Sequence, residues 1–361
     1  MQRGETDAGA DDSSQSAKSE NRRRNRRRQE RFAALDLGTN NCRLLVAAPK
    51  GRGFRIIDSF SRIVRLGDGM SRTGALSEPA MERTLSALRI CAEKIKRRNV
   101  TRMRCIATQA CRGASNGAAF LSKVERETGL AFDVISTEEE ARLAVMGSVE
   151  LLDPTVKACL IFDIGGGSTE LSWVRPGDKE RIEAWTSLSF GVVSLAERWG
   201  GADLDGETYE AMVEDVRAAL READGADGFK TYFEQGAAHL LGTSGTVTSI
   251  AGVHLGLERY RRVAVDGLWL KAEEARAVSR RLLAMTNAER ANEPCIGPDR
   301  ADLVVCGCAI LEALLREWPS DRIRVADRGL REGVLAGLAA DARRARRRRR
   351  RRRKRVRISS A

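Results

Sequence analysis

Short apolar runs in the sequence end at an acidic residue and are followed directly by a glycine turn. Residues 32–37 lead into a turn at 38–41, and residues 158–164 lead into a turn at 165–168. A third run reaches a turn at 242–246 without the acid. A short apolar run bounded by turn residues is typical of a buried strand. The pattern therefore predicts three buried strands, each ending at a glycine-rich turn.

The rest of the chain alternates between strand-like and helix-like segments. Ser77 is a suitable N-cap for one helix, and Thr137 with Glu140 three residues later has the spacing of a capping box. The predicted strands are 56–63, 103–108, 132–135, 169–175, 181–187 and 322–326, and the predicted helices are 77–98, 116–129, 137–146, 205–222, 273–286, 301–316, one after Gly242 and one from 328.

Strand–turn–strand units with an acid at the turn occur in both halves of the chain. Such internal duplication predicts an α/β fold of two related domains that flank a central cleft. We place the first domain at 32–143 and the second at 144–340, between tails at 1–31 and 341–361 that we expect to be disordered.

Composition and charge separate the tails from the body. The 361 residues have a formal net charge of +13, but 341–361 hold thirteen Arg or Lys against one Asp, and 1–31 hold nine against six acids. The body is therefore close to neutral, which argues against a nucleic-acid-binding body. No apolar run is long enough to span a bilayer and no apolar leader opens the chain, so we expect a cytoplasmic protein with no membrane contact.

The glycine turns favour phosphate chemistry. Glycines allow backbone N–H groups to converge on an anion, and carboxylates at strand ends suit a hard cation such as Mg²⁺. The candidate metal ligands are Asp36, Asp163 and Glu170, for which the alternative is an ordinary solubilising turn acid. The candidate phosphate-binding residues are Gly38, Thr39, Asn40, Asn41, Gly165, Gly166, Gly167, Ser168, Gly242, Thr243, Ser244, Gly245 and Thr246.

Six segments in the observed order and spacing resemble the exopolyphosphatase/guanosine-pentaphosphate phosphohydrolase (Ppx/GppA) family. Asn41 and Cys42 stand where family members often have Ser and Phe. The resemblance implies the actin-like superfold of sugar kinases and heat-shock ATPases, with ribonuclease H-like domains. The segments that carry it are 34–41, 107–112, 134–143, 162–171, 242–246 and 329–335.

The resemblance also implies an activity and several residue roles. Glu140 matches a glutamate that activates water, and Arg112 matches an arginine that pairs with phosphate. The implied reaction is Mg²⁺-dependent removal of terminal phosphate from inorganic polyphosphate or guanosine pentaphosphate, by a protein that pairs as a homodimer. The residues alone leave open that Glu140 is a helix-capping or solvated glutamate and that Arg112 is a solvated surface residue.

Two other classes of function stay open on the sequence. An ATPase or kinase of the same superfold would share the glycine turns, and a non-catalytic polyanion- or nucleotide-binding protein would share the affinity. The Arg-rich tail is either a solvated tail or a non-specific contact for polyanions such as polyphosphate or RNA. Arg43, Arg65 and Arg142 are weaker phosphate candidates, whereas Arg331 and Glu332 are expected to form a structural pair.

Overall fold

The computed structural model describes residues 30–50, 53–177, 181–223 and 227–359. Within them, the first sheet has the strand order β3-β2-β1-β4-β5. Strands β1, β2 and β3 are antiparallel neighbours, and β4 and β5 run parallel to β1. The strands are β1 (Phe32–Leu37), β2 (Asn41–Lys50), β3 (Gly53–Ile63), β4 (Arg102–Ala107) and β5 (Phe132–Val134).

The second sheet repeats this arrangement. Its order is β10-β11-β9-β6-β7-β8, with β6, β7 and β8 antiparallel, β9 and β11 parallel to β6, and β10 added at the edge. The predicted duplication of an actin-like α/β domain is thus confirmed. The strands are β6 (Ala158–Ile164), β7 (Thr169–Arg175), β8 (Arg181–Leu188), β9 (Ala238–Thr243), β10 (Trp269–Lys271) and β11 (Arg322–Val325).

Helices cover both sheets. Those of the first half are α1 (Met70–Thr73), α2 (Glu78–Arg97), α3 (Gln109–Gly113), α4 (Gly117–Thr128) and α5 (Thr137–Ser148), which continues into a 3₁₀ turn at Val149–Leu151. Those of the second half are α6 (Val192–Trp199), α7 (Gly206–Arg221), α8 (Asp227–Glu234), α9 (Ser244–His254), α10 (Arg262–Val265), α11 (Ala272–Ala284), α12 (Asn287–Asn292), α13 (Val304–Glu317) and α14 (Leu330–Ser359).

The last helix packs on the first sheet, which changes the predicted domain boundary. We assigned residues up to 340 to the second domain, yet Val334 and Leu335 are buried in one cluster with Phe32 and Ala34 of β1. The apolar face of α14 requires a partner, and the outer face of β1 provides it.

Two glycines bring α14 close to α5, which joins the halves of the molecule. A Cβ atom at Gly147 would overlap the carbonyl oxygen of Gly329, and one at Gly333 would overlap that of Leu143. Only glycine permits this separation of the helices. Helices α5 and α14 therefore form a close-packed pair between the two sheets.

The predicted tails have different outcomes. The N-terminal prediction falls on residues 1–29, which lie outside the described residues. The C-terminal segment from 341, which we expected to be unfolded, continues helix α14 to Ser359. Arginine has a high helix propensity, and the packed part of α14 supplies the nucleus that an isolated segment would lack. In the described chain, no helix combines the length and apolar content that crossing a membrane requires.

Candidate active site

The carboxyl end of β1 in the first sheet and those of the paired strands β6 and β9 in the second sheet meet at a cleft between the two sheets. The cleft has a volume of about 750 Å³. Asp36 lies at the end of β1 and Asp163 at the end of β6, while β9 ends at Thr243. The predicted phosphate residues that line it are Gly38, Thr39, Asn40, Asn41, Gly165, Gly166, Ser168, Thr243, Ser244, Gly245 and Thr246.

Three of the predicted residues do not reach the cleft wall in the described structure. Gly242 is a packing residue, because a Cβ atom there would lie 2.6 Å from the ring of Phe162. Gly167 packs against Thr39 of the opposite turn. Arg112 lies behind the wall and is described below with Glu140.

The first two glycine turns are closed in the same way. The Gly38 N–H donates to the Asn41 carbonyl at 2.9 Å, and the Gly165 N–H donates to the Ser168 carbonyl at 2.9 Å. The turns lie face to face, since a Cβ atom at Gly166 would lie 3.1 Å from the backbone nitrogen of Asn40. The duplicated sequence pattern therefore produces two matching turns on opposite walls of one cleft.

Several polar atoms of the turns lack partners within the described structure. The Asn40 Oδ1, Asn41 Oδ1 and Ser244 Oγ atoms are buried and make no hydrogen bond. Ser244 has a φ angle of 88°, in the left-handed region that disfavours residues with a Cβ atom. Buried polar atoms without partners are costly, and strained backbone clusters at functional sites. Both observations indicate that a ligand completes these turns.

The buried carboxyl groups of the cleft resist ionisation. Burial raises the pKa of Asp36 to about 6, although the charge of Arg43 opposes the rise. Burial, followed by repulsion from Asp163, raises the pKa of Glu170 to about 7. Burial also raises the pKa of Asp163. A bound cation would favour the ionised forms of these carboxyl groups.

These carboxylates fit a magnesium ion that takes only part of its coordination from the protein. Within the described residues, no three His, Cys, Asp or Glu side chains come together as a metal site. The charge of Asp163, across the cleft, adds to the rise in the pKa of Asp36. Mg²⁺ is commonly held by one or two carboxylates, with water and substrate phosphates as the remaining ligands. The donor set therefore suits Mg²⁺ together with phosphate.

Glu140 lines the cleft and takes no part in capping helix α5. The N-cap of α5 is Ser136, not Thr137, and its Oγ accepts a hydrogen bond from the Glu139 N–H at 3.2 Å. The predicted capping box of Thr137 and Glu140 is thus wrong, because the helix cap lies one residue earlier. Glu138 is exposed, and Glu139 binds Arg104 at 2.8 Å. Of the three consecutive glutamates, Glu140 is the one that lines the cleft.

Arg112 holds Glu140 in place. Its Nη1 donates to Glu140 Oε2 at 3.1 Å and to the Ile135 carbonyl at 2.8 Å, and its Nη2 donates to Gln109 Oε1 at 2.9 Å. The side chain of Glu140 is only 12% exposed. Burial and the charge of Glu170 raise the pKa of Glu140 well above its ordinary value, while Arg112 partly offsets the rise. Arg112 is therefore an ordered ion-pair partner rather than a solvated surface residue.

Arginines from both halves converge beside the third turn. A Cβ atom at Gly245 would lie 3.5 Å from Nη2 of Arg43 and 3.5 Å from Nη1 of Arg300. Burial, with the charge of Arg43, lowers the pKa of Arg300. Burial also lowers the pKa of Arg331, and Arg43 contributes there too. Arg43 thus repels both Arg300 and Arg331, and three guanidinium groups in one cleft have the charge that suits a polyanion.

Of these arginines, only Arg43 is a phosphate candidate on the sequence. Arg43 lies directly opposite Asp36 in the β1–β2 pair, so its alternation along β2 places it at the cleft. Arg300 precedes α13 in a segment without a motif, and nothing local marks it. Glu332, which we expected to pair with Arg331, instead binds Arg262 at 2.7 Å and the Gly329 N–H at 3.0 Å.

Arg65 bridges the two halves instead of facing the cleft. Its guanidinium donates to both carboxylate oxygens of Asp302, at 2.8 and 2.7 Å. Nearby, Glu197 of the second half accepts hydrogen bonds from the Gly69 N–H and the Ser71 hydroxyl of the first half. Arg142, the other weak phosphate candidate, pairs with Glu139 at 3.5 Å.

The bridge is joined directly to the first glycine turn. The Arg65 N–H donates to the Asn40 carbonyl at 3.1 Å, and the Gly67 N–H donates to the Thr39 carbonyl at 2.9 Å. Arg65 also has a φ angle of 46°, which is unusual for a residue with a side chain. The contact between the two halves and the position of this turn are therefore linked through a single short segment.

Comparison with known proteins places the chain in a family. The model of the Ppx/GppA phosphatase family matches residues 45–342, and the chain belongs to that family. Exopolyphosphatase 2 of Mycobacterium tuberculosis (strain ATCC 25618 / H37Rv) is 31% identical over 322 residues, covering 86% of this chain and 98% of that protein.

Several solved structures have the same fold as this chain. The Ppx/GppA family member from Aquifex aeolicus is 28% identical, with a TM-score of 0.69 over 87% of this chain and 98% of that one. An exopolyphosphatase-like protein is 30% identical, with a TM-score of 0.76 over 86% of this chain and 98% of that one. An exopolyphosphatase from Cytophaga hutchinsonii, 24% identical with a TM-score of 0.78 over 86% of this chain and 97% of that one, shares the fold.

Proposed function

We propose that the protein is a Mg²⁺-dependent phosphoanhydride hydrolase that releases terminal orthophosphate from inorganic polyphosphate. The observation that carries the proposal is the position of Glu140. It is a buried carboxylate held by Arg112, and it lines the same cleft as the three glycine turns. Membership of the Ppx/GppA family and the likeness to a curated exopolyphosphatase support the same reaction.

Glu140 activates the attacking water in this mechanism. It accepts a proton from the water, whose oxygen forms a bond to the terminal phosphorus. The bond from that phosphorus to the bridging oxygen breaks, and the shortened chain leaves with the electron pair. A raised pKa suits a general base, because efficiency is greatest when its pKa is near the working pH. Arg112 limits the rise and so favours the ionised carboxylate, which is the form that can accept a proton.

The turns and arginines hold the phosphates. The turns at 38–41 and 165–168 offer backbone N–H groups to the terminal phosphates, and the N-terminal end of α9 offers more. Arg43 and Arg300 are placed beside Gly245 to pair with phosphates further along the chain. Asp36, Asp163 and Glu170 would hold Mg²⁺, which when bound neutralises charge on the phosphate oxygens.

Guanosine pentaphosphate is the second candidate substrate, because apolar side chains line part of the cleft. Ile56 and Phe60 of β3 line one wall, and Pro294 and Ile296 line the cleft from the second half. Inorganic polyphosphate has no apolar surface to bury there, whereas a nucleoside does. The same Glu140 chemistry would remove the 5′-terminal phosphate.

A parallel substrate comparison tests the proposal. Orthophosphate release is measured from polyphosphate, guanosine pentaphosphate and ATP, with and without Mg²⁺. We expect release from polyphosphate, dependent on both Mg²⁺ and Glu140. Turnover of ATP alone, or turnover that requires an acceptor, would assign the protein to the ATPases or kinases of the superfold. Tight binding of polyphosphate by the wild type without any turnover would indicate a binding protein.

A further inference from the structure

The C-terminal part of helix α14 carries an unusual density of positive charge. Residues 343–357 contain twelve arginines and one lysine, and Asp341 is the one acid in 341–361. Asp341 pairs with Arg344 at 3.3 Å. Arg347 and Arg348, one turn further, are exposed. From Arg346 to Arg357 the sequence holds no acid.

The linear charge density along the helical backbone of 343–357 is that of a polyelectrolyte. At a rise of about 1.5 Å per residue, 343–357 spans roughly 21 Å and holds one cation per about 1.6 Å. Double-stranded DNA, for comparison, holds one anion per about 1.7 Å. Like charges three or four residues apart each destabilise a helix by a few tenths of a kcal/mol. A bound polyanion would remove that repulsion and stabilise the helix.

The charged segment is joined rigidly to the cleft. Helix α14 begins at Leu330 and Arg331, which line the cleft, and its buried face packs on β1 and α5. From Arg331 to Arg346 the axial distance along one helix is about 22 Å. A chain whose end lies in the cleft and whose length exceeds this distance can contact both regions at once.

We propose that 343–357 is an accessory binding site for inorganic polyphosphate, separate from the cleft, which retains long chains between successive cleavages. The proposal rests on the proposed function. Residues 341–361 contain no aromatic side chain on which bases could stack, which favours polyphosphate over RNA. A polyphosphate chain that contacts both 343–357 and the cleft has a raised effective concentration of its end at the cleft. Polyphosphates too short to reach both regions gain no affinity from the second contact.

The test measures binding apart from hydrolysis. For the binding measurements, each variant is made in a Glu140→Gln background, and binding of labelled polyphosphate of about 100 units is followed by fluorescence anisotropy across salt concentrations. A tail variant replaces four arginines by glutamine, which keeps helix propensity, and a control replaces four exposed cations of the body. The tail positions are Arg347, Arg348, Arg351 and Arg352, and the control positions are Lys96, Arg97, Arg126 and Arg280.

We expect the tail variant to bind the long chain at least tenfold more weakly at low salt. The slope of log affinity against log salt is negative, and its magnitude should be smaller by about 3 in the tail variant, for four lost contacts at about 0.7 each. The control variant should bind like the parent. With Glu140 intact, the KM for tripolyphosphate should be unchanged in the tail variant, because that substrate is too short to reach the tail.

Three results would overturn the inference. Equal long-chain affinity of tail variant and parent, or equal losses in tail and control variants, would show that the segment is not a specific site. Tighter binding of a single-stranded RNA of equal charge, with displacement of polyphosphate, would assign the segment to RNA. If the tail effect on binding is present but the intact protein hydrolyses no polyphosphate, the proposed function fails and the accessory binding site does not.

Discussion

Arg112 Nη1 lies 3.1 Å from Glu140 Oε2, and this contact joins two separate motifs of the first domain. Arg112 comes from the short helix α3, while Glu140 lies in the first turn of α5. The same guanidinium is fixed by the Ile135 carbonyl and by Gln109. A cation held from three sides therefore sets both the position and the proton affinity of the carboxylate that we assign as the base.

Replacing Arg112 should change the pH dependence of the reaction. Arg112 favours the ionised form of Glu140, so Arg112→Gln should move the acid limb of kcat/KM to a higher apparent pKa. Arg112→Lys keeps the charge and should restore most of the wild-type limb, with lower kcat because the fork geometry is lost.

The matched control for this experiment is Arg104→Gln. Arg104 binds the neighbouring Glu139 at 2.8 Å, so its loss should leave the acid limb in place. An acid limb that moves equally in the Arg104 and Arg112 variants, or in neither, would contradict the assignment of the limb to Glu140.

Removing a buried carboxylate from the cleft should stabilise the fold at high pH. The folded-state pKa of Asp36, about 6, lies above the ordinary value of 3.8. The protonated carboxyl therefore stabilises the fold below about pH 4, and that contribution is lost as the pH rises through about 6. Asp36→Asn should raise the free energy of unfolding by about 2–3 kcal/mol at pH 8 without divalent cations, and by much less at pH 4.

Denaturant unfolding at the two pH values measures this difference. Asp58→Asn is the control of opposite sign, because Lys94 and Arg98 hold the pKa of Asp58 below its usual range. Its contribution is present at neutral pH and lost on acidification, so that variant should be destabilised at pH 8. An Asp36→Asn protein that is less stable than wild type at pH 8 would refute the burial argument.

The Arg65–Asp302 bridge should contribute to closure of the cleft. Both side chains are about 30% exposed, so the pair contributes only about 0.2–1 kcal/mol. Arg65→Ala should therefore raise the KM for polyphosphate by about two- to fivefold at low salt and less at high salt. The double variant Arg65→Asp/Asp302→Arg should recover part of the loss, since Asp tolerates the left-handed backbone at position 65.

Arg89→Ala is the comparison for the bridge. Arg89 binds Glu127 at 2.6 Å, but both residues belong to the first domain and do not cross the cleft. Its KM should equal that of the wild type. A KM unchanged by Arg65→Ala, or a swapped pair that is worse than either single variant, would exclude a role for the bridge in closure.

Local chemistry explains which parts of the site were predictable. The turns after Asp36 and Asp163 were found because strand, acid and glycines are adjacent in sequence. The contacts of Arg300 with the third turn and of Arg65 with Asp302 join residues that are distant in the chain, and no local pattern marks them. The return of α14 to the first sheet is equally non-local, since its apolar face could have covered either domain.

Smaller errors came from competing local signals. Ser136 and Thr137 are both good N-caps, and the sequence alone did not favour the first. The charge repulsion of 341–361 argued for an unfolded tail, whereas helix propensity and continuity with α14 favour the helix that the structure has to Ser359.

The most direct test of the account compares two neighbouring glutamates. Glu140→Gln removes the proposed base, while Glu138→Gln makes the same chemical change at an exposed position two residues away. Both proteins should fold, and both should bind polyphosphate like the wild type. Steady-state release of orthophosphate from polyphosphate, with Mg²⁺ present, is then measured for each.

We expect kcat to fall by about 10²–10⁴ in Glu140→Gln, the usual contribution of a general base, and to stay within about twofold of wild type in Glu138→Gln. A Glu140→Gln protein that turns over polyphosphate within about threefold of the wild-type rate would contradict the assignment of Glu140 as the group that activates water.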